Sequence, residues 1–315
     1  MDSYTLLAAA KINLYLEVVG DRPDGYHELV MVMQSIGLMD RVTVRRTSAS
    51  PILLRCDHPQ VPSDQTNLAY RAAELLRNRF PAVAKSQGGV EITIAKQIPV
   101  GAGLAGGSTN AAAVLVGIDM LWQLGLTQIE LQTLAAELGS DIPFCIAGGT
   151  AIATGRGEQI DTLHGVDGLY AVLAKSPALS VSTAWAYETY RQAFSHIYLD
   201  IKTEGQSRRE HLHSGPMMTA ISQQDNAAIG RYLHNDLEKV VLPAHPEVEV
   251  AKTALQEAGG LGSLMSGSGP TLFTLTSSQA AAEAIVQQVR SRYGEADLDL
   301  WIAPFVPTSL QLNEA

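Results

Sequence analysis

Pro99-Val100-Gly101-Ala102-Gly103-Leu104-Ala105-Gly106-Gly107-Ser108-Thr109-Asn110 is a glycine-rich loop running into an alanine-rich helical pattern, Ala111 to Leu121. Small residues let backbone N–H groups approach an anion closely, and the following helix adds its positive N-terminal end. Ser, Thr and Asn at the helix start add hydroxyl and amide groups that close helix–strand packing alone does not require. The stretch therefore reads as a phosphate-binding loop.

Two standard motifs overlap it, and both fail. Gly101-x-Gly103-x-x-Gly106 spells the dinucleotide fingerprint, which also needs an acidic residue about 20 positions on, at the end of a second strand. Here Asp119 falls inside the helical run, beside Met120 and Leu121. The Walker pattern wants a lysine after its closing glycine, where this chain has Gly107. A protein kinase would need His-Arg-Asp and Asp-Phe-Gly downstream, and neither occurs. The loop says phosphate in another setting.

The rest of the chain supplies that setting. Its 315 residues leave room for two domains, and 46% hydrophobic with 17% charged residues is ordinary globular composition. A net charge of −10, from 22 basic and 32 acidic residues, argues against nucleic acid or an anionic membrane as the main partner. It leaves open a phosphorylated small molecule, which needs only local positive charge. Cys56 and Cys145 lie far apart without zinc spacing and suit a reducing cytoplasm. No amino-terminal hydrophobic signal precedes the first strand-like run. Residues 97 to 118 lack charge but are rich in glycine and polar side chains, unlike a membrane span. The expectation is a cytoplasmic protein.

Alternating or β-branched runs predict strands at Tyr4 to Ala9, Ile12 to Val19, Arg41 to Arg46, Ile52 to Arg55 and Val90 to Ile94. Periodicity predicts helices at Asn67 to Phe80, Thr109 to Trp122 and Ile129 to Leu138, and Gly139-Ser140-Asp141-Ile142-Pro143 reads as another helix start. Asn67 suits either an adenine-side contact or a helix N-cap, and the cap is favoured. A boundary near Leu163 to Gly168 divides the chain into residues 1–165 and 166–315, the second part opening on a strand at Leu169 to Lys175. Lys202 to Ser214 reads as a polar insertion. Its Glu210-His211-Leu212-His213 offers metal-ligand types but no third ligand at sensible spacing, so it is read as a solvated loop. Met265-Ser266-Gly267-Ser268-Gly269-Pro270 is a second tight glycine loop, whose role spacing alone does not decide.

Three separated segments, Ala8-Ala9-Ala10-Lys11-Ile12-Asn13-Leu14, Pro99 to Ala112 and Ser266-Gly267-Ser268-Gly269-Pro270, together resemble the three motifs of the GHMP kinases (galacto-, homoserine, mevalonate and phosphomevalonate kinases). Arg22-Pro23-Asp24-Gly25-Tyr26-His27 and Gly139 to Phe144 resemble the branch that phosphorylates a cytidine-diphosphate-linked methylerythritol on the non-mevalonate route to isoprenoids. The likeness spans essentially the whole chain. Ala105, Thr109 and Ser268 stand where relatives often show glycine, serine and threonine; size or hydroxyl is kept in each case.

The resemblance implies a two-domain α/β (α+β) fold with the ATP and substrate cleft between its halves. It implies that Asp141 is the base removing the acceptor's proton and that Lys11 is its partner, holding the carboxylate ionised and stabilising the developing alkoxide. The bare alternative is a structural Lys11–Asp141 ion pair. Asn13, one strand period from Lys11, should share its face and orient the acceptor hydroxyl. Pro99, Val100, Gly101, Ala102, Gly103, Leu104, Ala105, Gly106, Gly107, Ser108 and Thr109 would wrap the triphosphate. Ser108 is the first candidate for a phosphate or Mg²⁺ ligand and Thr109 the second; the sequence does not fix the metal's protein ligand. Tyr26 would form one face of a cytosine sandwich with Tyr187 opposite, and His27 would read the base edge. The partner expected is a small molecule, with the chain a monomer or weak dimer. Another acceptor (mevalonate, homoserine or a sugar) would leave the Asp24-Gly25-Tyr26-His27 turn without a reason. A non-catalytic nucleotide sensor should have lost Lys11 or Asp141, and both are present.

Overall fold

The computed structural model describes residues 2–48, 51–199, 215–293 and 297–313. Its frame is a hairpin of two long strands, β1 (Ser3–Asp21) and β2 (His27–Thr47), paired antiparallel with register shifts at Ala9/Ala10, Asn13/Tyr15 and Val18/Gly20. The two strands expected at Tyr4 to Ala9 and Ile12 to Val19 are thus one bulged strand. The strand expected at Arg41 to Arg46 is only the far end of β2, whose near half is a buried apolar run that lacks alternation.

The bulges do something specific. Leu6 and Ala8 join one core cluster, Ala10, Ile12 and Leu14 a second, and Leu16 and Val18 return to the first. All are even-numbered and would share one face of a regular pair; two extra β2 residues, Gly37 and Leu38, and one extra β1 residue, Leu14, interrupt that regularity. Between the bulges Lys11 and Asn13 therefore sit on the face opposite Ala10, Ile12 and Leu14.

The register of β2 also changes partner along its length. Residues 41–47 pair with β4 (Gly89–Ala95), and residues 29–34 pair with β5 (Thr150–Gly155). The first sheet is completed by β3 (Ile52–Cys56) beside β4, β6 (Gln159–Thr162) beside β5, and β8 (His234–Asn235) and β12 (Leu310–Leu312) on β1. A second antiparallel sheet has the order β11 (Asp299–Pro304), β7 (Tyr170–Lys175), β10 (Leu272–Thr276), β9 (Gly262–Met265). Ala10, Ile12 and Leu14 pack with Leu173, Phe273 and Leu275 to join the sheets. The segment after residue 165 builds the second sheet, but His234–Asn235 and Leu310–Leu312 return to the first.

On the first core cluster lie α1 (Leu68–Arg79), α2 (Pro81–Gln87), α3 (Gly106–Trp122), α4 (Gln128–Ala136) and α5 (Ile142–Ala147). Asn67 caps α1, its Oδ1 accepting from the Ala69 amide at 2.8 Å, as favoured from sequence. The α3 helix is buried nearly all round, and its alanines let it come close to the sheet: a Cβ on Gly117 would stand 2.8 Å from a Val44 methyl. It starts three residues earlier than the expected Thr109, because Ala105 adopts a left-handed conformation (φ 57) that turns the loop straight into Gly106. Later come α6 (Thr183–Phe194), α7 (Pro216–Ser222), α8 (Asn226–Arg231), α9 (Glu238–Ala244), α10 (Pro246–Glu257) and α11 (Gln279–Tyr293). The segment Lys202 to Ser214, with its Glu-His-Leu-His run, lies outside the described residues. No described helix is long and apolar enough to cross a membrane.

Candidate active site

A cleft of about 970 Å³ collects residues from β1, the glycine loop, the α5 start, the turn after β1 and α6. Gly101 (φ +62) and Gly103 (φ +73) use backbone regions open mainly to glycine. At Gly103 the constraint is also spatial, since a Cβ there would lie 2.3 Å from the Ser266 carbonyl oxygen. The two glycine loops are thus in direct contact, and Ser266 Oγ donates to the Gly103 carbonyl at 3.0 Å. The second loop is accordingly more than a turn. Buried Asn235 holds it by donating to the carbonyls of Met265 (2.7 Å) and Gly267 (2.8 Å).

The Ala105 cap makes no side-chain bond to the helix, and the first α3 amide bonded back is Thr109 N to Ala105 O at 2.9 Å. The amides of the first turn stay directed outward from the helix end, an arrangement suited to phosphate oxygens. Gly106, Gly107, Ser108 and Asn110 line the cleft. Thr109 departs from expectation. Its side chain is fully buried beside the Cys145 thiol, because a helical turn carries it to the core side of α3. Ser108 remains the hydroxyl on the cleft wall.

Beneath the loop lies a buried polar cluster that sequence reading missed. Asp40 Oδ1 accepts from the Gln97 (2.7 Å) and Ile98 (2.9 Å) amides, and its Oδ2 accepts from Asn110 Nδ2 at 2.8 Å. Lys96 pairs with the same carboxylate and donates to Asn110 Oδ1 at 3.2 Å. One side chain thereby ties the end of β4 to the first turn of α3. Nothing local marks it, since Asp40 and Asn110 are 70 residues apart.

At the centre, Lys11 Nζ donates to Asn13 Oδ1 at 2.7 Å and lies 3.6 Å from Asp141 Oδ2. Lys11 is 6% exposed at its side chain and Asp141 34%, so the ammonium is buried and the carboxylate opens to the cleft. Asn13 Nδ2 donates to Met31 Sδ at 3.4 Å, which fixes its amide with the oxygen toward Lys11. Asp141 occupies the N-cap position of α5 yet makes no capping bond, leaving both carboxylate oxygens for other work. The Lys11 amide donates to the Leu104 carbonyl at 3.1 Å, coupling β1 directly to the glycine loop.

The far end of the cleft is aromatic. Tyr26 is 52% exposed on the turn between β1 and β2, which is large for a tyrosine held in a structured turn. His27 is buried, its Nε2 without a hydrogen-bond partner and 3.6 Å from Asp21 Oδ1. Burial, aided by the nearby Arg191 charge, pushes the imidazole below its ordinary range and keeps it neutral near pH 7. Tyr187 also lines the cleft and tilts against His27 with ring centroids 5.2 Å apart. The helix α6 presents Thr183, Tyr187 and Arg191 to the cleft at four-residue spacing. Arg191 ties it to the turn by donating to Asp21 Oδ1 (2.8 Å) and the Gly25 carbonyl (3.1 Å). Arg156, also absent from the sequence reading, stands over the Tyr26 ring at 4.9 Å.

Residues 67–149 match the family described as GHMP kinases N terminal domain, and residues 217–295 match GHMP kinases C terminal. The 4-diphosphocytidyl-2-C-methyl-D-erythritol kinase of Gloeothece citriformis is 56% identical over 315 residues, covering 100% of each chain. Its namesake in Microcystis aeruginosa is 57% identical over 313 residues, covering 99% of this chain and 100% of the relative. A crystal structure of 4-(cytidine 5'-diphospho)-2C-methyl-D-erythritol kinase superposes with a TM-score of 0.73 at 30% identity, covering 96% of this chain and 98% of the other. A homoserine kinase from Cytophaga hutchinsonii superposes with a TM-score of 0.74 at 20% identity, covering 99% and 98%, a likeness of fold alone.

Proposed function

The chain belongs to the GHMP kinases, and from that premise we infer that it transfers the γ-phosphoryl group of ATP to the 2-hydroxyl of 4-diphosphocytidyl-2-C-methyl-D-erythritol, releasing ADP. The relatives at 56% and 57% identity that carry this activity in their names support the acceptor. The observation that carries the chemistry is the pairing of buried Lys11 with cleft-facing Asp141 at 3.6 Å, joined to the phosphate loop through the Lys11 amide.

ATP brings the phosphoryl group, and Mg²⁺ would screen the charge on its phosphates. The outward amides of α3 and the glycine loop, held against the second loop at Gly103, fit a triphosphate. Ser108 is the residue to reach the phosphate or the metal. Mg²⁺ would be held mostly through phosphate oxygens and water.

Asp141 takes the proton of the acceptor hydroxyl as the new bond forms, a contribution of about 10²–10⁴-fold. Lys11 stabilises the alkoxide as its charge develops, and it is held for this by Asn13. Neutral His27 reads the base edge, while Tyr26 and Tyr187 flank the base. A net charge of −10 and two free cysteines support action in the cytoplasm on a small molecule. The protein serves the non-mevalonate pathway to isopentenyl diphosphate.

ADP release is measured with the cytidyl acceptor, with mevalonate, homoserine and galactose as controls and Asp141→Ala as the blank. Turnover with the cytidyl compound alone, lost in the variant, is expected. Activity only with another acceptor would keep the kinase and discard the substrate. Silence with all four would favour a nucleotide sensor.

A further inference from the structure

The acceptor half of the cleft holds one cation that the reaction above leaves unused. Arg156 follows the end of β5, where Gly155 turns at φ +71. Its guanidinium lies 4.9 Å from the centroid of the Tyr26 ring, covering one face and leaving the other for a base. Its neighbour Gly157 packs on Ser140, whose Cβ would stand 3.7 Å from a Cβ at that glycine, and Ser140 adjoins Asp141. Arg156 thus lines the cleft beside Tyr26, while the next residue, Gly157, lies against the Ser140 that precedes Asp141.

The other cations lining the cleft have occupations. Lys96 is paired with Asp40. Arg191 is bonded to Asp21, Glu188 and the Gly25 carbonyl. Lys11 belongs to the transfer centre. Arg156 is held loosely by comparison: one bond from its terminal nitrogen to the Ala136 carbonyl at 3.3 Å, Nε 3.9 Å from Glu158 Oε2, and a charge interaction with the exposed Asp24 carboxylate. The Glu158 oxygen is already taken by the Arg156 backbone amide at 2.6 Å. A guanidinium has five N–H donors, so most of this one's capacity is uncommitted.

We propose that Arg156 binds the diphosphate of the acceptor, and that its contact with Tyr26 makes base and diphosphate recognition one unit. The proposal rests on the acceptor assigned above and deepens it. With the base at Tyr26 and the reacting hydroxyl at Asp141, the diphosphate runs between them through the cleft that Arg156 lines. A planar guanidinium matches phosphate oxygens bidentately, which a lysine does not.

Binding of CDP and of cytidine is measured by calorimetry on the full chain, wild type against Arg156→Ala and Arg156→Lys. The alanine variant should weaken CDP by about tenfold to a hundredfold and cytidine by no more than about twofold. The lysine variant should recover part of the loss. In turnover, the acceptor KM should rise while kcat and the KM for ATP hold. An equal loss for CDP and cytidine would overturn the proposal, since Arg156 would then only prop Tyr26; unchanged CDP binding would overturn it too. Wild-type turnover is read alongside. Its absence with the cytidyl acceptor would sink the acceptor assignment and the proposal together, whereas intact turnover with unaltered CDP binding in both variants would sink Arg156 alone.

Discussion

Asp141 Oδ2 stands 3.6 Å from Lys11 Nζ, close enough for strong electrostatic coupling but beyond ordinary hydrogen-bond length. Lys11 spends its short bond on Asn13 instead, at 2.7 Å. The carboxylate is thus steadied by charge while its oxygens stay available to an incoming hydroxyl.

Asp141→Asn should lower kcat by about 10²–10⁴-fold while ATP binding persists. Because Asp141 makes no capping bond to α5, any fall in melting temperature should come from Lys11 losing its charge partner rather than from the helix. Steady-state kinetics with a thermal melt checks both, and a variant with retained turnover would remove Asp141 as the base.

Tyr26→Ala should raise the KM for the cytidyl acceptor by roughly one to two decades, the worth of about 1–3 kcal/mol of base stacking. ATP should be spared, and stability too, since half of the tyrosine is already in solvent. Parallel KM measurements for both substrates decide it; equal losses would reassign Tyr26 to the fold.

Two glycines at similar φ should respond differently to alanine. Gly25 (φ +85) has nothing within 4 Å of a Cβ, so Gly25→Ala should cost only the left-handed backbone term, about 1 kcal/mol. Gly103 (φ +73) meets the Ser266 carbonyl at 2.3 Å, so Gly103→Ala should add about 1–3 kcal/mol of overpacking and weaken ATP binding. Urea unfolding of the pair is the comparison, and equal midpoints would refute the contact argument.

Acid stability should depend on Asp236. Burial alone would raise its pKa, but bonds from His234 (3.1 Å), Lys239 (2.8 Å) and the Val18 amide (2.9 Å) outweigh it and hold the carboxyl at about 2. A carboxyl depressed on folding contributes stability that is complete above its unfolded pKa and lost as pH falls through the folded one. The contribution, on the order of 2 kcal/mol, should be full above about pH 4 and vanish toward pH 2. The stability gap between wild type and Asp236→Asn, followed by urea unfolding from pH 7 to 3, should therefore narrow only below about pH 4. A gap constant across that range would contradict the assignment.

The glycine loop was legible because its signal is local: small residues before a helix announce a tight backbone wherever they occur. Lys11 and Asp141 were legible only through the resemblance of three separated motifs, since no spacing links residues 130 positions apart. Asp40, Asn235 and Arg156 were not legible at all. Each is an ordinary polar residue whose partners lie far off in the chain, as with Asn235 and the Gly267 carbonyl 32 residues on. Thr109 was misread because loop composition does not say which side chains of the first helical turn face inward.

The sequence by itself determined the tight glycine loop and the helices around it, which depend on local backbone freedom and on periodicity, and three separated motifs pointed to the family. The tertiary structure alone decided which residues meet. Irregularities in the pairing of β1 with β2 flank Lys11 and Asn13, and β2 changes partner halfway. The second glycine loop docks against the first through Gly103. Those outcomes come from register and packing between distant segments, where the burial of apolar side chains on both sheet faces selects one arrangement, and a one-residue shift would turn every side chain away from the cleft.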